Sequence, residues 1–228
     1  MRIVALESSG DACSLALWQD GTLVASWLEI APRQHTQLLL PQLERLLTAA
    51  EWSLNQCDMI AFGAGPGGFT GIRIATAVAQ GLAFSCNLPL LPVSTLQALG
   101  LQGYRLSGEA NQLTAFDARM GELYWGGYCY SPTTVETIIE AAVTPAAVAE
   151  LPVSGEWFGV GSGWQRDGVL LQQRLAARLR GVNASLHPEA AAVAALAAMR
   201  YQQQGDAVLQ TPFTALPLYL RNKVVSVA

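Results

Sequence analysis

Positive charge is scarce in this sequence. Lys223 is its only lysine, the arginines are scattered, and the net charge of the 228 residues is −4. A chain that grips nucleic acid unaided carries a basic stripe that neutralises several phosphates. The nearest thing here is Arg174, Arg178 and Arg180, so independent nucleic-acid binding is not expected. Histidine is almost as rare: only His35 and His187 occur, far apart. A zinc or iron site would need scattered carboxylates or thiols with no ligand spacing to support it, and no metal is expected. Cys13, Cys57, Cys86 and Cys129 form no C-x-x-C pair. No uninterrupted apolar stretch reaches membrane-spanning length, and MRIVALE opens as a strand rather than a secretory signal. The expectation is a cytoplasmic protein with reduced thiols and no membrane partner. Ser8 and Ser9 lie in no G-x-S-x-G elbow, which leaves a serine hydrolase unsupported.

Apolar residues, by contrast, make up 51% of the chain and charged ones only 13%. That balance excludes disorder and points to apolar surface covered by a partner. IVAL at 3–6 reads as a buried central strand. Asp20-Gly21 between β-prone stretches reads as a hairpin. A helix is predicted from about His35 to Ala50, then a strand ending near Gly63 and a helix from about Thr70 to Ser85. LPLLPV and a short helix from Thr95 complete the order β-β-β-α-β-α-β-α.

The Gly-rich, polar GLQGYRLSGEANQ then reads as a connection, after which the plan restarts. LTAFDARMGELYWGGYCY gives two strands and TVETIIE a third. Thr144-Pro145 reads as a helix entry, followed by a strand at Trp157–Val160 and helices at Leu170–Leu179 and from Pro188 to Gly205. IVALESSG and LTAFDARMG both run from an apolar strand to an acid, Glu7 or Asp117, and then a glycine turn. Two α/β lobes with duplicated βββαβα plans, residues 1–103 and 104–228, are the layout of the actin, sugar-kinase and heat-shock ATPase superfamily.

FGAGPGGFTGIRI contains G-x-G-x-x-G at Gly63, Gly65 and Gly68. The dinucleotide fingerprint needs an acid about twenty residues on, where this chain has Leu88-Pro89-Leu90-Leu91. No Lys-Ser or Lys-Thr follows, as a P-loop would need. What remains is a strand-to-helix turn with Thr70 as the N-cap. It suits an anion at a helix start, or simply a tight turn needing glycine, and the second reading is preferred. Glu7, Gly65, Gly67, Gly68 and Asp117 would then be a vestigial nucleotide or metal cleft. The two acids would hold a metal or merely accept turn N–H groups. A kinase or ATPase built on them is the competing reading.

Two helices carry more apolar surface than one core contact requires. In HTQLLLPQLERLLTAA, Leu39, Leu43 and Leu46 mark one face, with Leu40 and Leu47 beside it. Pro41 falls early enough to sit in the first turn or to shift the helix start. TGIRIATAVAQGLAFS is rich in Ala and Gly, with Arg73, Thr76 and Gln80 on one narrow line. Own-sheet packing and a helix-bundle interface both account for this pattern.

The blocks ALESSGDACSLALWQDG, HTQLLLP, GAGPGGFTGIRIATAVAQGLA, LPVSTLQAL, FDARMGELYWGGY, VGSGW and PLYLRN span nearly the whole chain. In that order they resemble the bacterial TsaB (YeaZ) family of tRNA threonylcarbamoyladenosine biosynthesis. The resemblance implies a two-lobed actin-like (ASKHA) fold and a subunit that is not the catalyst and carries no cofactor. Its partners would be the homologous catalytic subunit TsaD, whose metal site uses a histidine pair, and the ATPase TsaE. A separate enzyme would supply threonylcarbamoyl-adenylate, and tRNA would be met only through the complex. Position 37 of tRNAs reading codons that begin with A is the implied target. The resemblance also places the two helices in a bundle with TsaD, or with a second copy in isolation, through Leu39, Leu43, Leu46, Arg73, Thr76, Ala77 and Gln80. Glu7 stands where the shorter Asp is expected in many relatives, which weakens nucleotide binding further. A metallopeptidase, prompted by the histidine motif of TsaD, is disfavoured by the lone His35.

Overall fold

The computed structural model describes residues 1–220; Lys223 and the last two residues of the PLYLRN block lie outside the described residues. The chain forms two compact units, Met1–Leu99 with His187–Pro217, and Gly100–Leu186 with residues 218–220.

In the first unit β1 (Arg2–Glu7) pairs antiparallel with β2 (Ala12–Gln19), and β2 with β3 (Thr22–Ile30). The turn between β2 and β3 places Asp20 and Gly21 both at positive φ, as a two-residue hairpin matched to strand twist requires. α1 (His35–Ala49) leads to β4 (Met59–Gly65), which pairs parallel with β1. α2 (Phe69–Cys86) then returns the chain to β5 (Leu90–Ser94), giving the order β3-β2-β1-β4-β5. Every residue of β4 is buried, as a central parallel strand demands. The outer edge of β5 is closed by the chain itself, for Leu90 and Gln210 exchange backbone hydrogen bonds.

The second unit repeats the plan. Its strands are β6 (Asn111–Arg119), β7 (Glu122–Tyr130), β8 (Val135–Thr144), β9 (Trp157–Val160) and β10 (Leu179–Asn183), ordered β10-β9-β6-β7-β8. Each strand corresponds in sequence order and pairing sense to one of the first sheet. α4 (Gly163–Leu175) covers this sheet through Trp164, Leu171 and Leu175, which join Leu113, Leu123, Trp125 and Trp157 in the core.

Several sequence expectations change. Thr144-Pro145 begins no helix; the chain turns there and holds its carbonyls Ala146 and Ala149 on the Arg174 guanidinium. α4 starts before Leu170 and ends at Leu175; a single 3-10 turn, Ala176–Arg178, then leads into β10 at Leu179. GLQGYRLSGEANQ is not a linker, since α3 (Thr95–Ser107) runs through most of it. Gly100 and Gly103 are there for close packing: side chains at either would collide with Tyr130 or with Gln112. Pro41 lies inside α1, which starts at His35 without shifting. Finally, the last helix, α5 (Ala190–Gln204), does not belong with residues 104–186. Ala190 to Ala198 are all buried, the Ala190 N–H donates to Ser14 Oγ at 3.0 Å, and Arg200 donates to the Pro92 carbonyl at 2.8 Å. A lobe boundary at residue 103 is thus replaced by a first unit assembled from both ends of the sequence.

Candidate functional site

Glu7 ends β1 with no solvent exposure. Its Oε1 accepts the Ser9 N–H at 2.6 Å, and its Oε2 accepts the Thr95 hydroxyl at 3.2 Å. Burial pushes its carboxyl above the ordinary glutamate range, against the lowering effect of those hydrogen bonds. The glycine loop then packs directly on the residues that follow. Gly63 lies so close to the Glu7 carboxylate, and Gly71 to the Ser8 carbonyl, that any Cβ would collide with them. A Cβ on Gly67 would fall 2.6 Å from the Ser9 carbonyl oxygen. The Gly68 N–H donates to that same carbonyl at 2.7 Å, while Ser8 Oγ donates to the Gly71 carbonyl at 2.9 Å.

These glycines therefore admit the chain's own Ser8-Ser9 segment. The space beside the first turn of α2 is taken by protein backbone, and the helix is capped by Gly68 rather than by Thr70. Gly65, at φ +104°, makes the sharp exit from β4.

Asp117, the second candidate acid, belongs to the second unit. Its Oδ1 accepts the Arg119 N–H at 2.9 Å and Arg166 Nη1 at 2.8 Å, and its own N–H donates to Ser162 Oγ. Arg166 also donates to the Glu122 carbonyl and pairs with Asp167. This network fixes a hairpin tip in which Arg119, Met120 and Gly121 are all left-handed. The Asp117 carboxylate serves as a staple for that turn.

The two predicted partner helices both lie in the first unit, but only some of the chosen residues face outward. Leu39 and Leu43 are buried with Leu47 in the unit's own core, and Leu46 is half-buried against it. Leu40, not Leu39 or Leu43, is the outward leucine of α1. Thr76 is buried and returns its hydroxyl to the Ile72 carbonyl at 2.8 Å. The Gln80 amide donates to the Ala215 carbonyl at 2.8 Å. Arg73 and Ala77 are exposed, and the Arg73 guanidinium lies 3.6 Å from the centre of the Phe69 ring. The physical reason for the errors is phase: a helix with leucine at 38, 39, 40, 43, 46 and 47 offers two plausible stripes. Phe84 continues the outward line of Arg73 and Ala77 and was missed, although spacings of four and seven give it away. His35 is buried at the start of α1, and its Nε2 meets no hydrogen-bond partner among the described residues.

Residues 29–226 match the family model described as TsaD: tRNA N6-adenosine threonylcarbamoyltransferase. The tRNA threonylcarbamoyladenosine biosynthesis protein TsaB of Escherichia coli (strain K12) is 44% identical over 171 residues, covering 72% of this chain and 73% of that one. Its namesake from Haemophilus influenzae is 33% identical and covers 98% of this chain and 95% of its own. This chain belongs to the TsaB family. The solved structure of YeaZ from Pseudomonas aeruginosa superposes with a TM-score of 0.87 at 40% identity, over 96% of this chain and 99% of that one. The TsaB fold seen here, two mixed five-stranded sheets with helices, is the two-lobed actin-like α/β fold expected from the sequence. Within it, the signature glycine block of the TsaB resemblance coincides with the loop packed on Ser8-Ser9.

Proposed function

We propose that this chain is a non-catalytic scaffold in tRNA threonylcarbamoyladenosine biosynthesis. It acts by binding the homologous catalytic subunit TsaD, with TsaE joining the assembly, in the cytoplasm. The reaction served is transfer of threonylcarbamoyl to the adenosine at position 37 of tRNAs reading codons that begin with A. The observation that carries this reading is the filled glycine loop. A nucleotide-using relative needs free backbone N–H groups and space at the start of this helix. Here Ser8 and Ser9 occupy that position, and Glu7 is desolvated beneath them.

The outer face of α2 supports the partner role. Ala77 and Gly81 are small and exposed, with nothing within 4 Å of a Cβ on Gly81, so a partner helix can approach closely. Leu40 of α1 adds apolar surface on the second helix. With a net charge of −4, the chain leaves the grip on tRNA to other subunits.

Reconstituted threonylcarbamoylation of tRNA tests the proposal, with the chain present, omitted, or altered. Omission is expected to abolish product, while Glu7→Gln and Asp117→Asn retain at least half of it. Loss of product by either variant that still binds TsaD would make the site catalytic and overturn the scaffold reading. Ala77→Glu is expected to remove TsaD from the complex in gel filtration while the chain's own circular dichroism is unchanged.

A further inference from the structure

The segment after α5 is a strap. Gln210 pairs with Leu90 on the edge of β5, and the strap then runs to α2, where the Ala215 carbonyl accepts the Gln80 amide. Ala215 itself is buried in the core of the first unit. Between these anchors, Thr211 and Thr214 close a tight turn. The Thr211 N–H donates to Thr214 Oγ1 at 3.0 Å, and the N–H groups of Thr214 and Ala215 both donate to the Thr211 carbonyl at 3.1 Å.

A turn anchored this way holds its outward residue in one place, and that residue is Phe213, 80% exposed. Its ring meets Phe84 of α2 edge to face, with centroids 5.9 Å apart, and Phe84 is 67% exposed. Leu216, next to the buried anchor, is exposed to the same degree as Phe84.

We infer that this strap is part of the TsaD-binding face, with the Phe84–Phe213 pair as its aromatic anchor. The inference rests on the proposed role of α2. Phe84, Phe213 and Leu216 together leave about 400 Å2 exposed, within the range in which the largest apolar patch on a monomer is often functional. That is roughly half of the ~800 Å2 one partner contributes to an ordinary interface. It is continuous with the outward line of Arg73 and Ala77, because Phe84 lies on that same line of α2. The occupant is therefore the helical partner that covers Ala77, reaching past the end of α2 onto the strap. The rigid turn means that little side-chain and loop ordering remains to be done on binding. Gln80 is a positioning residue: it ties the strap to the helix and does not itself face outward.

Calorimetric titration with purified TsaD decides the matter. The variant Phe84→Ser/Phe213→Ser is expected to bind at least tenfold more weakly than the wild type, with an unchanged melting temperature. Gln80→Leu is expected to give a smaller loss. If the double variant binds within twofold of wild type while Ala77→Glu abolishes binding, the strap lies outside the interface and the inference fails alone. If wild-type chain does not bind TsaD at all, the reading of the α2 face fails first. If the double variant instead loses only self-association in sedimentation, the patch belongs to a second copy, and the commitment to TsaD is wrong.

Discussion

Glu7 holds its proton more firmly than an exposed glutamate, because burial strips water from the charged form. The folded chain keeps a proton that the unfolded chain releases once the pH passes the ordinary glutamate range. Stability from this group is therefore fullest at acid pH and declines as the pH climbs toward the raised value. Glu7→Gln is neutral at every pH, with one acceptor oxygen kept and the other replaced by an N–H donor beside Thr95 or Ser9, so it removes the decline. Urea midpoints measured between pH 4.5 and 8 should show the variant gaining on the wild type as the pH rises; parallel curves would mean that Glu7 is ionised in the folded state at no cost. The same residue explains a misleading feature of the sequence. Glycines that admit a phosphate and glycines that admit a neighbouring backbone look alike in one dimension, and only Ser8-Ser9 beside Glu7 distinguishes them here. The missing Lys-Ser or Lys-Thr after the glycines and the missing downstream acid could exclude two nucleotide folds, but not reveal what fills the loop.

At the scale of helices and strands, burial sorts the leucines of α1 by function. Leu39→Ala opens a cavity in the core of the first unit and should cost about 2–5 kcal/mol. Leu40→Ala, on the outer face, should stay within about 0.5 kcal/mol in the isolated chain. Chemical denaturation of the two variants checks both values; similar losses would mean that α1 is rotated from the orientation described. Strands were legible because short apolar runs and the Asp20-Gly21 turn have few alternative readings. Helices were less so. Gly100 and Gly103 made α3 look like a linker, since packing against Tyr130 and Gln112 is a tertiary demand that no local pattern records. The candidate site suffered in the same way: Arg73 lay on a polar line legible at helical spacing and Ala77 was implied only by the family resemblance, whereas Phe213 depends on a strap whose path is set by distant partners at Leu90 and Gln80.

For the whole molecule, the duplication read from IVALESSG and LTAFDARMG holds at the level of strand order, but not at the level of chain division. The helix after each fifth strand leaves its own half. Gly100–Ser107 of α3 counts with the second unit, and α5 with the first. A chain ending at Leu186 would lack the nine consecutive buried residues that cover one face of the first sheet. Such a fragment is expected to be insoluble or to bind hydrophobic dyes strongly, with no cooperative thermal transition. A sharp transition from the fragment would show that sheet and loops suffice without α5.

The arrival of α5 also sets a timetable. Ribosomes release the strands of the first sheet early, yet the helix that shields them follows about a hundred residues later. At elongation rates of about 5–20 residues per second that gap lasts about 5–20 s. Through that interval the face of β1, β2 and β4 that α5 covers has nothing to bury it, while α1 and α2 pack on the other. A newly made chain thus passes through a vulnerable period whose length is fixed by the order of its codons, and slow translation between residues 95 and 190 would prolong it.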